Sequence, residues 1–369
     1  MKNMRTKESA TTILGNASVA EKANMSIIRN PKKMGVTHRA KCLIPPCDAL
    51  HNGKSISGGV YSNGNLCEES KLVRAWNNVA FDVTVELETI PKPTGHLKKG
   101  IYGGYLFSHY GHFMLETLSR LWWSLAEKRE EPVIFQVVRG GNIPDFAKEI
   151  LNLLNIDYRL VTNSECLEVE ELFIPSASLV ERLWVAPEFL VPFQTIADSF
   201  PDSNVDKLFV SRGERISQIY GERLIMEICQ SEGFTVLDPT TSSLREQIVL
   251  FASAKEIIGG VGSALHNLPY CRNLQKVAYL ARAQSIASTY KMIDDRLDAH
   301  DNFWIYASKS ILPLMGNLTG PYMIDAHASL RYLQDAGFIS KARTLSDYDV
   351  LVETERYMME FRRLYDLRA

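Results

Sequence analysis

The chain has 369 residues, 46% of them hydrophobic and 23% charged, with a formal net charge of −2. That length exceeds one ordinary core and implies two domains and a tail, and the near-neutral balance gives no case for nucleic acid as a partner. No apolar run approaches membrane-spanning length, no basic-then-apolar leader precedes a cleavage site, and six cysteines without metal-type spacing point to a reducing, cytosolic setting.

Residues 1–40 are polar, with Lys2, Arg5, Lys7, Lys22, Arg29, Lys32 and Lys33 outnumbering the acids. Without sustained periodicity they are read as a loosely ordered tail, solvated or leaning on anionic lipid head groups. From Cys42 to Pro91, runs such as Val79-Ala80-Phe81 and Val83-Thr84-Val85 lie between Gly, Asn and Pro clusters and predict edge strands of undetermined order.

After Gly111 the pattern turns helical: Phe113, Leu115, Leu118, Leu121 and Trp122 form one apolar face. His112 and Glu116 are four apart and share a face, with Arg120 one turn on. A histidine tuned by a nearby carboxylate is suited to accept a proton near neutrality, yet such a pair also serves simply to orient a helix turn. His109-x-x-His112 with Glu116 has metal-ligand spacing too, but Tyr110-Gly111 between the histidines reads as a turn and argues against a rigid ligand pair.

Between Pro132 and Pro175 an α/β rhythm appears: strand Val133–Val138, a helix through Phe146, Ile150, Leu151 and Leu154, then strands at Tyr158–Val161 and Leu172–Pro175. Leu190–Ser203, broken by Pro192 and Pro201, is the expected connection to a second domain.

The densest signal runs from Lys207 to Asn273. Leu208–Val210 reads as a buried parallel strand, followed by a helix carrying Leu224, Ile225, Ile228 and Cys229 that Gly233 stops. Phe234–Leu237 is the next strand. Ser243 and Glu246 form a capping box for a second helix, and Ile257–Ile258 leads into the glycine turn Gly262-Ser263-Ala264 and a further helix. Strand, helix, strand, helix, strand and glycine turn make half of a doubly wound domain. Arg212 and Arg215 after the first strand, and the glycine turn after the third, stand at carboxyl ends, where such sheets hold ligands. Forked guanidinium donors and backbone N–H groups at a helix start suit phosphate oxygens. Val277–Leu280 is another strand. Asp294, Asp295, Asp298, His300 and Asp301 are read as a solvated helix face, and two helices, Ser329–Ala336 and Ser346 to about Leu367, close the chain.

Ser211-Arg212, Arg215, Gly221-Glu222, Gly233-Phe234-Thr235-Val236, Leu244 with Gln247-Ile248-Val249-Leu250-Phe251, and Gly262-Ser263-Ala264-Leu265-His266-Asn267 together resemble glycosyltransferase family 61 in order and spacing. So does His112 with Glu116, where the family carries Asn-x-x-His-x-x-x-Glu and this chain has His109 at the Asn position. Gly221 stands where Asn is usual, Val261 where His often precedes the glycine, and Ala264 where a second Gly is frequent.

The resemblance implies two Rossmann-like α/β domains facing a cleft (GT-B-like), with C-terminal helices. The expected division is a tail at 1–40, an acceptor-side domain at 41–195, a nucleotide-sugar domain at 204–325, and helices at 326–369 packing back on the domains. It also implies an inverting, metal-independent glycosyltransferase working in surface or capsular polysaccharide synthesis. The donor would be a nucleotide sugar, a UDP-sugar, and the acceptor a glycan or lipid-linked saccharide. Arg212, Arg215 and Gly262-Ser263-Ala264 would hold the diphosphate, with Asn267 or Glu246 touching the donor. His112 or Glu116 would activate the acceptor hydroxyl, with His109 and Arg120 as acceptor contacts. Two other readings are left open: a non-catalytic protein of the same fold that binds sugar nucleotides or glycans, and a metal-dependent hydrolase built on His109, His112 and Glu116.

Overall fold

Gly95–Leu106 is the long central strand of a seven-stranded sheet in a computed structural model that describes residues 10–18, 33–48, 55–76, 79–140, 142–162, 164–213, 218–283, 286–311 and 320–365. The chain divides into two units, Ile28–Ser199 and a second made of Met1–Ile27 with Phe200–Ala369. The division falls inside the 190–203 stretch, part of which is helical at Val191–Ala197.

In the Ile28–Ser199 unit the sheet order is Tyr158–Val161, Val133–Val137, Gly95–Leu106, Leu167–Pro175, Val36–Ile44, Tyr61–Ser62, Asn65–Leu66. The first four strands are parallel; from Val36–Ile44 onward pairing is antiparallel. The sheet is thus mixed, half doubly wound and half meander. Val133–Val137 is buried at every position, as a central parallel strand must be, and Tyr102, Ile134, Val169 and Leu172 share one core cluster. The segment before Gly95 supplies the antiparallel strands of this sheet that precede it in sequence and the hairpin Val73–Trp76/Val79–Asp82. That hairpin lies beside a second one, Leu179–Val180/Trp184–Val185, where the Ala75 N–H donates to the Glu181 carbonyl at 3.2 Å.

The helical stretch at 110–126 is not one regular α-helix. Tyr110–His112 is α-helical, Phe113–Thr117 a π turn, Leu118–Arg120 a 3₁₀ turn and Trp122–Ala126 α-helical again. π turns inside helices frequently mark functional positions, and this one carries Glu116.

The second unit holds a six-stranded, wholly parallel sheet in the order Thr11–Gly15, Asp301–Tyr306, Lys276–Leu280, Glu256–Gly260, Lys207–Val210, Thr235–Leu237. The expected tail therefore needs correction. Thr11–Gly15 is a parallel edge strand, because Ile13 and Leu14 beside β-branched threonines suit a half-buried ladder; residues 1–9 and 19–32 lie outside the described residues. The chain steps from Lys207–Val210 out to Thr235–Leu237, then returns to the opposite side at Glu256–Gly260. The reversal puts a topological switch point between the carboxyl ends of Lys207–Val210 and Glu256–Gly260.

Glu222–Ser231 and Leu244–Ser253 are the crossover helices. Gly233 ends the first in the left-handed region (φ 87°), and the Ser243 hydroxyl accepts the Glu246 N–H at 3.2 Å at the start of the second. The acidic stretch near 294–301 is a second correction. Asp294 and His300 are buried: the Tyr279 hydroxyl donates to Asp294 Oδ1 at 2.6 Å, and His300 Nε2 lies 3.4 Å from the same oxygen. Mutual neutralisation lets them enter the core that a solvated face would not reach.

The closing helices are Ala326–Asp335 and Asp347–Tyr365. The first buries Leu330 and Leu333 with Ile225 and Phe234; the second buries Tyr357 and Phe361 against Tyr220 and Met323. Among the described residues no helix is long and apolar enough to cross a membrane, and all six cysteines are free thiols.

Candidate functional site

Two clusters of charged side chains form, one in each unit. In the Ile28–Ser199 unit the π turn keeps His112 and Glu116 on one face, with His112 Nδ1 2.9 Å from Glu116 Oε2. Arg74, delivered by the Val73–Trp76 strand, grips the same carboxylate twice: Nε to Oε1 at 2.7 Å and Nη2 to Oε2 at 2.7 Å. Glu181 stands 3.8 Å from Arg74 Nε, and the guanidinium also lies over the Phe107 ring. Burial alone would push the Glu116 carboxyl up. The bonds from Arg74 and His112 outweigh it and hold the group below its ordinary value. At His112 Nδ1 the Glu116 carboxylate at 2.9 Å is closer than the Arg74 Nη2 donor at 3.4 Å, which favours the proton on Nδ1 and leaves Nε2 as the acceptor. His112 is half-buried, its ring 5.4 Å from that of exposed His109. Partial desolvation of the ring, and then the neighbouring His112, hold the His109 imidazole below its usual value.

Arg120 turns inward. The π and 3₁₀ turns break the regular offset that would have set it beside Glu116, and its guanidinium donates to the carbonyls of Pro175 and Lys71 while lying over the Tyr102 ring. It clamps backbone and is almost fully buried.

The one set of metal-capable side chains among the described residues is His112, Glu116 and Glu181, whose ligand atoms all lie within 4.8 Å of one another. It differs from the His109, His112, Glu116 set considered from spacing. Arg74 already supplies positive charge to both carboxylates, so a divalent ion would have to displace a guanidinium.

In the second unit Arg212 follows the Lys207–Val210 strand at the switch point. Its Nη1 donates to the Val261 carbonyl at 3.3 Å and lies against Gly262. Its backbone N–H donates to Glu222 Oε2 at 3.0 Å. Burial lowers the Arg212 pKa, and the charge of Arg282 lowers it further, so two guanidinium charges converge at this sheet edge. Glu222, at the start of its helix, is buried and its carboxyl is pushed up to about 7 by desolvation. It shares a cavity of about 480 Å³ with Ser211, Asp238 and Glu353.

Gly262 is extended (φ 179°) and opens not an α-helix but the 3₁₀ segment Ser263–Tyr270, with Pro269 inside it. Ser263 and Ala264 are half-buried at its start. The Tyr290 hydroxyl donates to the Gly262 carbonyl at 2.9 Å, and the Tyr290 ring stacks on His266. Asn267 is fully buried, its amide donating to Gln247 Oε1 at 3.3 Å, which ties the 3₁₀ segment to the Leu244–Ser253 helix. Glu246 is exposed on that helix, its backbone N–H held by the Ser243 hydroxyl. Arg215 lies outside the described residues.

Sequence reasoning missed Arg74, Glu181, Glu222 and Arg282. Glu222 belongs to the Gly221-Glu222 pair that carries part of the resemblance, but no role was expected of it. Arg282 follows a predicted strand just as Arg212 does, and the same strand-end rule would have found it. Nothing local marks Arg74 or Glu181, which reach the Glu116 cluster only through hairpin packing.

No curated protein matches the chain. A family model described as Glycosyltransferase 61 matches residues 110–278, from the turn bearing His112 and Glu116 through Arg212 to the strand after the 3₁₀ segment, and by that domain the chain is a glycosyltransferase.

Proposed function

We propose that the chain is an inverting glycosyltransferase of GT-B type, moving a sugar from a UDP-sugar or related nucleotide sugar to a hydroxyl of a glycan or lipid-linked saccharide. The observation that carries the reading is Arg212 at the switch point, packed on Gly262 with the charge of Arg282 nearby. Half-buried guanidinium charge in that place supports stabilisation of the leaving diphosphate without a required metal. Ser263 and Ala264 would add backbone contacts, Arg215 a further cation, and Asn267 would act by holding the 3₁₀ segment.

On the acceptor side His112 is the base and Glu116 its orienting partner. The hydroxyl gives its proton to His112 Nε2 as the acceptor oxygen bonds to the sugar carbon, and the diphosphate leaves with the electrons of the broken bond. Retention by double displacement needs a free carboxylate nucleophile. Both oxygens of Glu116 are engaged by Arg74 and His112, which supports single displacement with inversion. The setting proposed with it is surface polysaccharide assembly on the cytoplasmic side of a membrane.

The test is release of the nucleoside diphosphate by purified protein across a panel of nucleotide sugars, with Arg212→Ala beside the parent. Arg212→Ala is expected to lower turnover about a hundredfold with its melting temperature nearly unchanged. An unchanged rate would remove Arg212 from the mechanism. Tight donor binding with neither transfer nor hydrolysis would instead favour the non-catalytic binder.

A further inference from the structure

Glu116 is among the residues that line a half-open cavity of about 520 Å³ within the Ile28–Ser199 unit, a volume within the range of small-molecule sites. Leu72, Val73, Phe107, Val180, Leu183 and Trp184 are among its lining residues. Most of the polar groups in the same wall already have partners, Glu69 Oε2 being a buried exception. The Tyr105 hydroxyl is 2.8 Å from Thr84 Oγ1, and Ser119 Oγ donates to the Glu116 carbonyl at 2.7 Å. Arg120 donates to two backbone carbonyls, and Lys71 is held by Glu68 and Asp82. The Glu116 carboxylate is engaged by Arg74 and His112.

A sugar ring placed here would lose its water and find these donors and acceptors already committed, which is unfavourable for each hydroxyl left unpaired. A hydrocarbon has no such need and gains from every methylene removed from water. Glu116 lines this cavity and also bonds His112, so the cavity and the candidate base share one side chain.

We propose that the cavity binds the hydrocarbon portion of an amphiphilic acceptor, whose hydroxyl-bearing head then lies at His112. The inference rests on the reading of His112 and Glu116 as the acceptor side. The acceptor class is thereby narrowed from any saccharide to one carrying an apolar chain or ring beside the accepting sugar.

The probes are methyl, n-hexyl and n-octyl β-D-glucopyranoside below micelle-forming concentrations, titrated calorimetrically into the full chain. Methyl glucoside is expected not to bind measurably, and affinity is expected to rise by about three- to fourfold per added methylene from hexyl to octyl. Leu183→Asp, at a half-buried position, is expected to weaken octyl glucoside at least about tenfold, and Val180→Phe to do the same by filling space. His112→Ala is expected to leave the gain per methylene from hexyl to octyl unchanged, whatever it does to the head-group contact, while abolishing transfer, so failure of the cavity and failure of the catalytic reading give different results. Equal affinity for methyl and octyl glucoside, or none for either, overturns the proposal. So does octyl binding that survives both cavity variants but is lost in Trp76→Ser with Phe81→Ser, because these exposed aromatics of the Val73–Asp82 hairpin would then be the site.

Discussion

Arg212 Nη1 occupies the volume that a side chain at position 262 would fill: a Cβ on Gly262 would stand 1.6 Å from it. The backbone of Gly262 is extended and open to any residue, so the conflict is with the guanidinium alone. Gly262→Ala is therefore expected to fold within about 1 kcal/mol of the parent while swinging Arg212 out of place. Steady-state assays should show kcat/KM reduced about a hundredfold, comparable to Arg212→Ala. Parent-like activity would mean that Arg212 does not act from this position.

Arg74 is expected to matter as much to the fold as to the reaction. Arg74→Ala leaves a buried carboxylate with one favourable partner, His112, and another carboxylate, Glu181, close by, and should destabilise by about 3 kcal/mol in urea titration at neutral pH. Glu116 has a depressed folded pKa, so its contribution is present above the ordinary value of 4.5 and lost as pH falls through the depressed one. Without Arg74, burial dominates and the folded pKa rises, which reverses that dependence. The stability gap between parent and variant should thus be widest near neutrality and close on acidification. A gap independent of pH would show that the pair is not what holds the hairpin.

Glu222 gives the opposite sign. Its folded pKa of about 7 lies above the ordinary 4.5, so its ionisation opposes folding. Stability from this group is complete below 4.5 and declines as pH rises to about 7, by about 3 kcal/mol over the window. Glu222→Gln keeps an acceptor for the Arg212 N–H and removes the titration. The difference between parent and variant unfolding free energies should change across that window and be flat outside it; parallel curves would place Glu222 in a more solvated setting.

Ser243→Ala removes the cap of the Leu244–Ser253 helix without touching a charged side chain. Loss of the hydroxyl that accepts the Glu246 N–H should cost about 1 kcal/mol, with turnover unchanged. A fall in turnover comparable to that of Gly262→Ala would mean that the Leu244–Ser253 helix reports on the site through Gln247 and Asn267.

What the sequence made legible was local. Lys207–Val210, Thr235–Leu237 and Glu256–Gly260 announced themselves as short buried runs closed by breakers, and Ser243 with Glu246 marked a helix start within one residue. The π turn at Phe113–Thr117 left no trace, because His112 and Glu116 keep the four-residue offset expected of an ordinary helix. Thr11–Gly15 was hidden among polar neighbours, since an edge strand needs apolar residues on one side only. Burial of Asp294 and His300 depends on their meeting each other and Tyr279, a tertiary event that composition cannot encode. Arg74 was invisible for the same reason: a guanidinium's partner lies 42 positions away, and spacing rules do not reach that far.

The ladder between Thr11–Gly15 and Asp301–Tyr306 also sets an order of events during synthesis. The Ile28–Ser199 unit can close as soon as it leaves the ribosome, whereas the first strand must wait for some three hundred further residues before its neighbour exists. Until then its N–H and C=O groups have only water. A shortened version beginning at Ile28 would leave Asp301–Tyr306 as a bare sheet margin carrying Trp304 and Ile305, open to pairing with another chain. Expression trials should keep those first residues and place any purification tag at the opposite terminus.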